Sequence, residues 1–184
     1  MYDTKLDISA YLGGLGPDSP VHDLKELIAW NEAHHATEMP YFGQELFIRA
    51  QATGAATDTA YTRAVARCRQ IALENGIEAI MKKHDLDALF ACTDSPPWPI
   101  DLVDADHFTG GSSTVPAVAG CPHITVPGGY VFGLPVGVSF FGRPWTEGEL
   151  IKIAYAYEQA TKHRRPPTFR PTADLSAIPS GHSR

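Results

Sequence analysis

The chain has 184 residues, 43% of them apolar and 20% charged, with a formal net charge of −6. That is the balance of a globular domain with a real core, and it excludes a disordered segment. The acidic balance argues against nucleic acid and anionic membrane as main partners, and no apolar run nears membrane-spanning length.

In chain order, residues 4–12 predict a helix that stops at Gly13-Gly14. Ser19-Pro20 reads as an N-cap with proline in the first turn. Leu24, Leu27, Ile28 and Trp30 approximate a helical stripe running towards His35. Pro40 and Gly43 break it, and "QELFIRAQAT" predicts a shorter helix. The aromatics Tyr41, Phe42 and Phe47 fit a core better than a base-stacking platform, because only Arg49 is interleaved with them. Asp58 is placed to cap the longest helix, in which Tyr61, Val65, Cys68, Ala72, Ile77, Ile80 and Met81 keep a helical rhythm. Gly76 is a weak point inside it. "LDALFAC" then reads as a buried strand.

Residues 93–109 are dense in Pro and Asp and predict a long ordered loop, a kind of segment that often carries function. "HITVP" and "LPVGVSFFG" predict two strands joined by a Gly-rich turn. Their successive apolar residues imply burial on both faces. The last helix has Thr146 and Glu149 as a capping box, a buried face of Leu150, Ile153, Ala154 and Tyr157, and a stop at Pro166-Pro167. His163, Arg164 and Arg165 at its end would complement the helix dipole. The polar tail, 171–184, reads as flexible.

The start, "MYDTKLDISA", has no signal-peptide core. Cys68, Cys92 and Cys121 are odd in number and unpaired by spacing, which fits buried thiols in a reducing cytoplasm and neither a disulfide framework nor a zinc site. Glu32 and His35 have the spacing of a di-iron ligand pair, but no second copy accompanies them, so no metal site is expected. Asp104 and His107 could pair a carboxylate with an imidazole for acid–base work, although a loop-bracing histidine is the commoner outcome. Ser139, in "VGVSFFG", lies mid-strand and is structural. "GGSST" lacks trailing glycines, and Pro116 has no N–H, so Ser112 or Ser113 reads as the N-cap of a short helix. Phosphate-binding glycine motifs are absent, and no cofactor is implied.

Beyond these readings, "AVAGCPHITVPGGYVFGLPVGVSFFGRPWTEGELIKIAYAYEQAT" resembles the C-terminal part of the amidase signature family. Gly120, Pro122, Ile124, Val126, Pro127, residues 133–137, Gly142 and Arg143 carry the match. "LIAWNEAHHATEMPYFGQELF" and "LDALFACTDSPPWPIDL" are similar to the preceding segments of one bacterial branch.

The resemblance implies an α/β fold: a mixed β-sheet flanked by helices, incomplete by itself. The family part would be 1–170, mainly helical over 1–85 and carrying the sheet and closing helix over 86–165. The family hydrolyses carboxylic amides with a Ser-Ser-Lys triad that belongs to its N-terminal part. No residue here matches it, including Lys82 and Lys83 upstream of "GGSST". The implied function is that of a C-terminal amidase half, inactive alone. Trp98, Asp101, Asp104, His107, Ser112 and Ser113 are its candidate substrate-pocket residues. Implied partners are an N-terminal amidase half, or a second copy through the exposed sheet. A small-molecule amide would bind only in the complete enzyme. The competing readings are a non-catalytic binding module and, last, a self-sufficient hydrolase using Ser112 or Ser113 with His107 and Asp104.

Overall fold

The computed structural model describes residues 1–169; the predicted tail, 171–184, lies outside them. The chain divides into two compact units, 1–66 and 67–184.

The first unit is helical. Helices α1 (Tyr2–Gly13), α2 (Leu24–Ala33), α3 (His35–Glu38) and α4 (Glu45–Gln51) surround a small core of Leu12, Val21, Leu24 and Ala50. Asp23, not Ser19, caps α2: its carboxylate accepts the Glu26 N–H at 2.7 Å. Ser19 instead donates its hydroxyl to the Val21 carbonyl. Tyr41 and Phe42 are 75% and 79% exposed, so they are not core residues, while Phe47 is half-buried. His34 interrupts the helix between Glu32 and His35 and stacks on Trp30, which breaks the metal-ligand spacing. Tyr61, on the first turn of α5 (Thr59–Arg69), donates to Asp3 at 2.5 Å and stacks on Tyr2.

In the second unit the long helix is not uniform. It passes from α5 through a π-helical stretch, Gln70–Glu78, into α6 (Ala79–Lys83). Gly76 lies inside the wide turns. A Cβ there would sit 2.8 Å from the Ile71 carbonyl oxygen, five residues back, which is the acceptor position of π-helical hydrogen bonding. The re-phasing changes which residues are buried. Leu73, Ile77 and Met81 face the core, while Val65, Cys68 and Ile80 of the expected stripe are exposed.

The sheet has the order β1-β3-β2, with β1 at Leu89–Cys92, β2 at His123–Val131 and β3 at Leu134–Phe141. Both pairings are antiparallel. Strand β3 is buried on both faces at Val138, Ser139 and Phe140, whereas β2 is half-buried along most of its length. The turn between β2 and β3 is Phe132-Gly133, both at positive φ (50° and 75°), the requirement of a tight two-residue hairpin. Gly128 and Gly129, expected in that turn, instead form a bulge inside β2 opposite Gly137 and Val136.

Each sheet face carries one core cluster. Val138 and Phe140 pack with Leu150 and Ala154 of α8 (Glu147–Thr161), joined by half-buried Ile124, Val126, Ile153 and Tyr157. On the opposite face Phe141 and Leu89 meet Leu73, Ile77, Met81 and Ala119, the last from α7 (Thr114–Ala119). Thr146 stands at the N-cap of α8, yet its hydroxyl donates to the Arg143 carbonyl and Glu149 pairs with Lys152, so the capping box does not form. The helix ends at Thr161, with Lys162 left-handed at φ 51°, before the two prolines are reached.

Candidate functional site

The functional features of the second unit gather where β1 runs out into the loop. Its strand alternation puts Thr93, Thr125 and Ser139 on one face. Thr93 Oγ1 hydrogen-bonds Thr125 Oγ1 and, at 2.8 Å, Ser139 Oγ; Thr125 also reaches the Val138 carbonyl at 3.2 Å. Ser139 is fully buried, and this network satisfies it. The cluster exists because residue 137 is glycine: a Cβ there would lie 2.6 Å from Thr93 Oγ1 and 2.9 Å from Thr125 Oγ1.

Backbone bonds then close the loop at its base. Thr93 N–H donates to the Gly137 carbonyl at 2.9 Å, Ser112 N–H donates to the Thr93 carbonyl at 3.0 Å, and Asp94 bridges Gly111. Between this bridge and the strand end lies an open depression of about 490 Å³, lined by Ala91, Cys92, Asp94, Ser95, Gly110 and Ser112 among others. Ser112 is the one predicted pocket residue that lines it.

The rest of the predicted set is distributed along the loop. Trp98 donates its indole N–H to Asp106 at 3.0 Å and meets Phe108 edge-on. Asp101 Oδ1 accepts the N–H groups of Val103 (2.8 Å) and Asp104 (3.0 Å). Those bonds, Asp104's first, hold its carboxyl below the usual carboxylate range. Asp104 and His107 are exposed, and no hydrogen bond or ion pair joins them among the described residues. The loop's order comes from Trp98–Asp106 and from Asp101's turn. Its apolar side chains face water: Ile100 is 91% and Val103 is 90% exposed.

Ser113 occupies the N-cap position of α7, but its side chain makes no capping bond, so the capping expectation holds for place and fails for chemistry. Ser112 finds an unexpected neighbour, with its Oγ 3.2 Å from His123 Nε2 and 3.4 Å from the Thr93 carbonyl oxygen. That carbonyl can take the serine proton, leaving His123 to donate to the oxygen, the reverse of the sense a nucleophile requires. The Ser112 N–H is already spent on Thr93 and cannot serve an oxyanion.

Of the thiols, Cys68 and Cys92 are exposed, contrary to expectation, and Cys121 is half-buried. Burial, then the nearby Glu78 charge, pushes the Cys121 thiol up, away from the reactive thiolate. No cluster of three metal-ligating side chains occurs among the described residues. None of the described helices is long and apolar enough to cross a membrane.

No family model matches the chain. Individual relatives do. A probable amidase of Arabidopsis thaliana is 37% identical over 167 residues, covering 90% of this chain and 29% of that protein. One glutamyl-tRNA(Gln) amidotransferase subunit, from Desulforudis audaxviator, is 44% identical over 79 residues, 42% of this chain and 15% of its own. Among solved structures, native peptide amidase from Stenotrophomonas maltophilia superposes with a TM-score of 0.82 at 44% identity. That match covers 91% of this chain and 33% of the peptide amidase. The chain thus spans a third or less of the length of these relatives.

Proposed function

From the premise that this chain is homologous to the amidases of the amidase signature family over about a third of their length, we propose that it is the C-terminal part of an amidase. It supplies half-sheet, helices and one wall of a substrate pocket for hydrolysis of a carboxylic amide, and it is catalytically silent alone. The observation that carries this reading is the near-complete superposition of the chain onto one third of peptide amidase. A second observation supports it. The loop presents Ile100, Leu102 and Val103 to solvent at 74% exposure or more, as a pocket wall awaiting its other side would.

In this reading the remainder of an amidase brings the Ser-Ser-Lys triad. The chain's own share is positional. The hydroxyl cluster and the Asp94–Gly111 bridge fix the base of the loop, Trp98 and Asp101 brace its span, and Ser112 borders the depression. Trp98, Asp101, Asp104, His107, Ser112 and Ser113 remain the pocket-side residues of the proposal, which places the chain in the cytoplasm with an N-terminal amidase half as partner.

A specific contact favours one other reading. Ser112 and His123 lie within hydrogen-bond distance, as a self-sufficient serine hydrolase would need, with His123 in place of His107. It ranks below the first because no carboxylate holds the other ring nitrogen among the described residues and the adjacent amide is engaged.

Co-expression with the part of peptide amidase that precedes the matching third tests the proposal. The expected result is a soluble complex that releases ammonia from a carboxylic amide, with neither part active alone. Ammonia release by the chain alone would refute it.

A further inference from the structure

His163, Arg164 and Arg165 do not cap a helix. They lie beyond the end of α8, and the two arginines border a second open depression of about 310 Å³ on the β2–β3 hairpin. Its floor includes Pro127, Tyr130, Pro135 and Val136. Arg165 lies with its guanidinium carbon 4.9 Å above the centre of the Tyr130 ring. At that distance the cation is held over the ring, and a cation–π contact of this kind occupies none of the guanidinium's N–H donors in a hydrogen bond.

The charge balance of this depression is one-sided. Among the described residues no Asp or Glu lines it. Among the described residues neither arginine is in an ion pair or donates a side-chain hydrogen bond, whereas Arg143 donates to the Leu86 carbonyl. In a chain of net charge −6, two adjacent guanidinium groups without an ion pair among the described residues, over an aromatic and proline floor, form a local exception. Planar forks of this kind match carboxylates in two-point hydrogen bonding, and the apolar floor suits a flat organic body more than a bare ion.

We propose that this depression is a binding site for an organic carboxylate, with Arg164 and Arg165 holding the carboxylate and Tyr130, Pro127 and Pro135 carrying its apolar part. The carboxylate can be a free small molecule or the side chain of an acidic peptide; the chemistry of recognition is the same. The depression shares Thr125 and Gly137 with the hydroxyl cluster but no lining residue with the loop depression, and the proposal does not depend on the chain's role in amide hydrolysis.

Saturation-transfer NMR on the full-length chain tests this, because it reads the ligand and works whatever the oligomeric state. The probes are benzoate, benzamide as its uncharged isostere, and inorganic phosphate. The expected result is saturable benzoate binding, at least about tenfold weaker for benzamide, as the loss of a charge-assisted pair implies. Phosphate should compete poorly. The variant R164Q/R165Q should lose benzoate binding by a similar factor, while keeping the wild-type circular dichroism spectrum. Displacement of benzoate by a capped peptide with a single Asp would assign the peptide source, and failure to displace it the small-molecule source. Equal binding of benzoate and benzamide, undiminished binding by R164Q/R165Q, or no saturable binding of benzoate would overturn the proposal.

Discussion

At the scale of single residues, the site rests on close approaches that only certain side chains permit. Gly137 is the sharpest case, since any Cβ must push apart two hydroxyls that lie less than 3 Å away. Gly137→Ala should therefore lower stability by about 1–3 kcal/mol, the usual cost of overpacking. Gly148→Ala, in α8 with nothing within 4 Å, should be neutral or stabilising by up to about 1 kcal/mol. Thermal melts of the two variants side by side check the pair, and equal effects would refute the packing account. Asp101 makes a prediction about pH. Its folded pKa is depressed, so the turn it holds is stabilised above the ordinary Asp range and released as pH falls through the lowered value. The amide NMR signals of Val103 and Asp104, whose N–H groups Asp101 binds, should hold through mild acid and change only below the usual carboxylate range. Asp101→Ala should show the acid-like signal already at neutral pH. A wild-type transition at the ordinary Asp pKa would mean that the two N–H bonds do not hold the carboxylate.

At the scale of elements, the π-helical stretch decides which way the long helix faces. In an α-helix, Gly76→Ala would stabilise by about 1 kcal/mol. Here the added Cβ meets the Ile71 carbonyl oxygen at 2.8 Å, so the substitution should destabilise, as a urea melt can read directly. Stabilisation would show that the wide turns do not persist in solution. This stretch also explains where reading the sequence succeeded and failed. The periodicity of Leu150 and Ala154 placed α8 and its buried face, because an exposed, regular helix expresses its packing in its spacing. The stripe over 61–81 failed in part, because a π-helix shifts the phase and its only local trace was a single glycine. The β2–β3 pair was legible from its apolar runs. Its turn was not, since Phe132 at positive φ carries no turn signature, while Gly128-Gly129, which does, serves a bulge. Of the site, the loop was visible as a Pro- and Asp-rich break in periodicity. The Thr93–Thr125–Ser139 cluster and the Ser112–His123 contact were not. Each joins residues 11 to 46 positions apart, and isolated Thr, Ser and His carry no motif.

At the scale of the whole molecule, the distribution of apolar surface is the dominant fact. Ile71, Phe90, Ile151 and Tyr155 of the second unit are all more than half exposed, as are most apolar side chains of the loop. A chain with this surface should bind a hydrophobic dye strongly at neutral pH and run above its monomer mass, and co-expression with the proposed N-terminal amidase half should suppress both effects. A dye-silent monomer with a sharp melt would favour an independent module. The homology to a third of an amidase and the engaged N–H of Ser112 both support the proposed role, in which the chain shapes an amidase without performing its chemistry. Intact-mass measurement after exposure of the purified chain to a fluorophosphonate tests this most directly. No adduct is expected. A single adduct at Ser112, lost in Ser112→Ala and weakened in His123→Gln, would contradict that role and make this chain a hydrolase by itself.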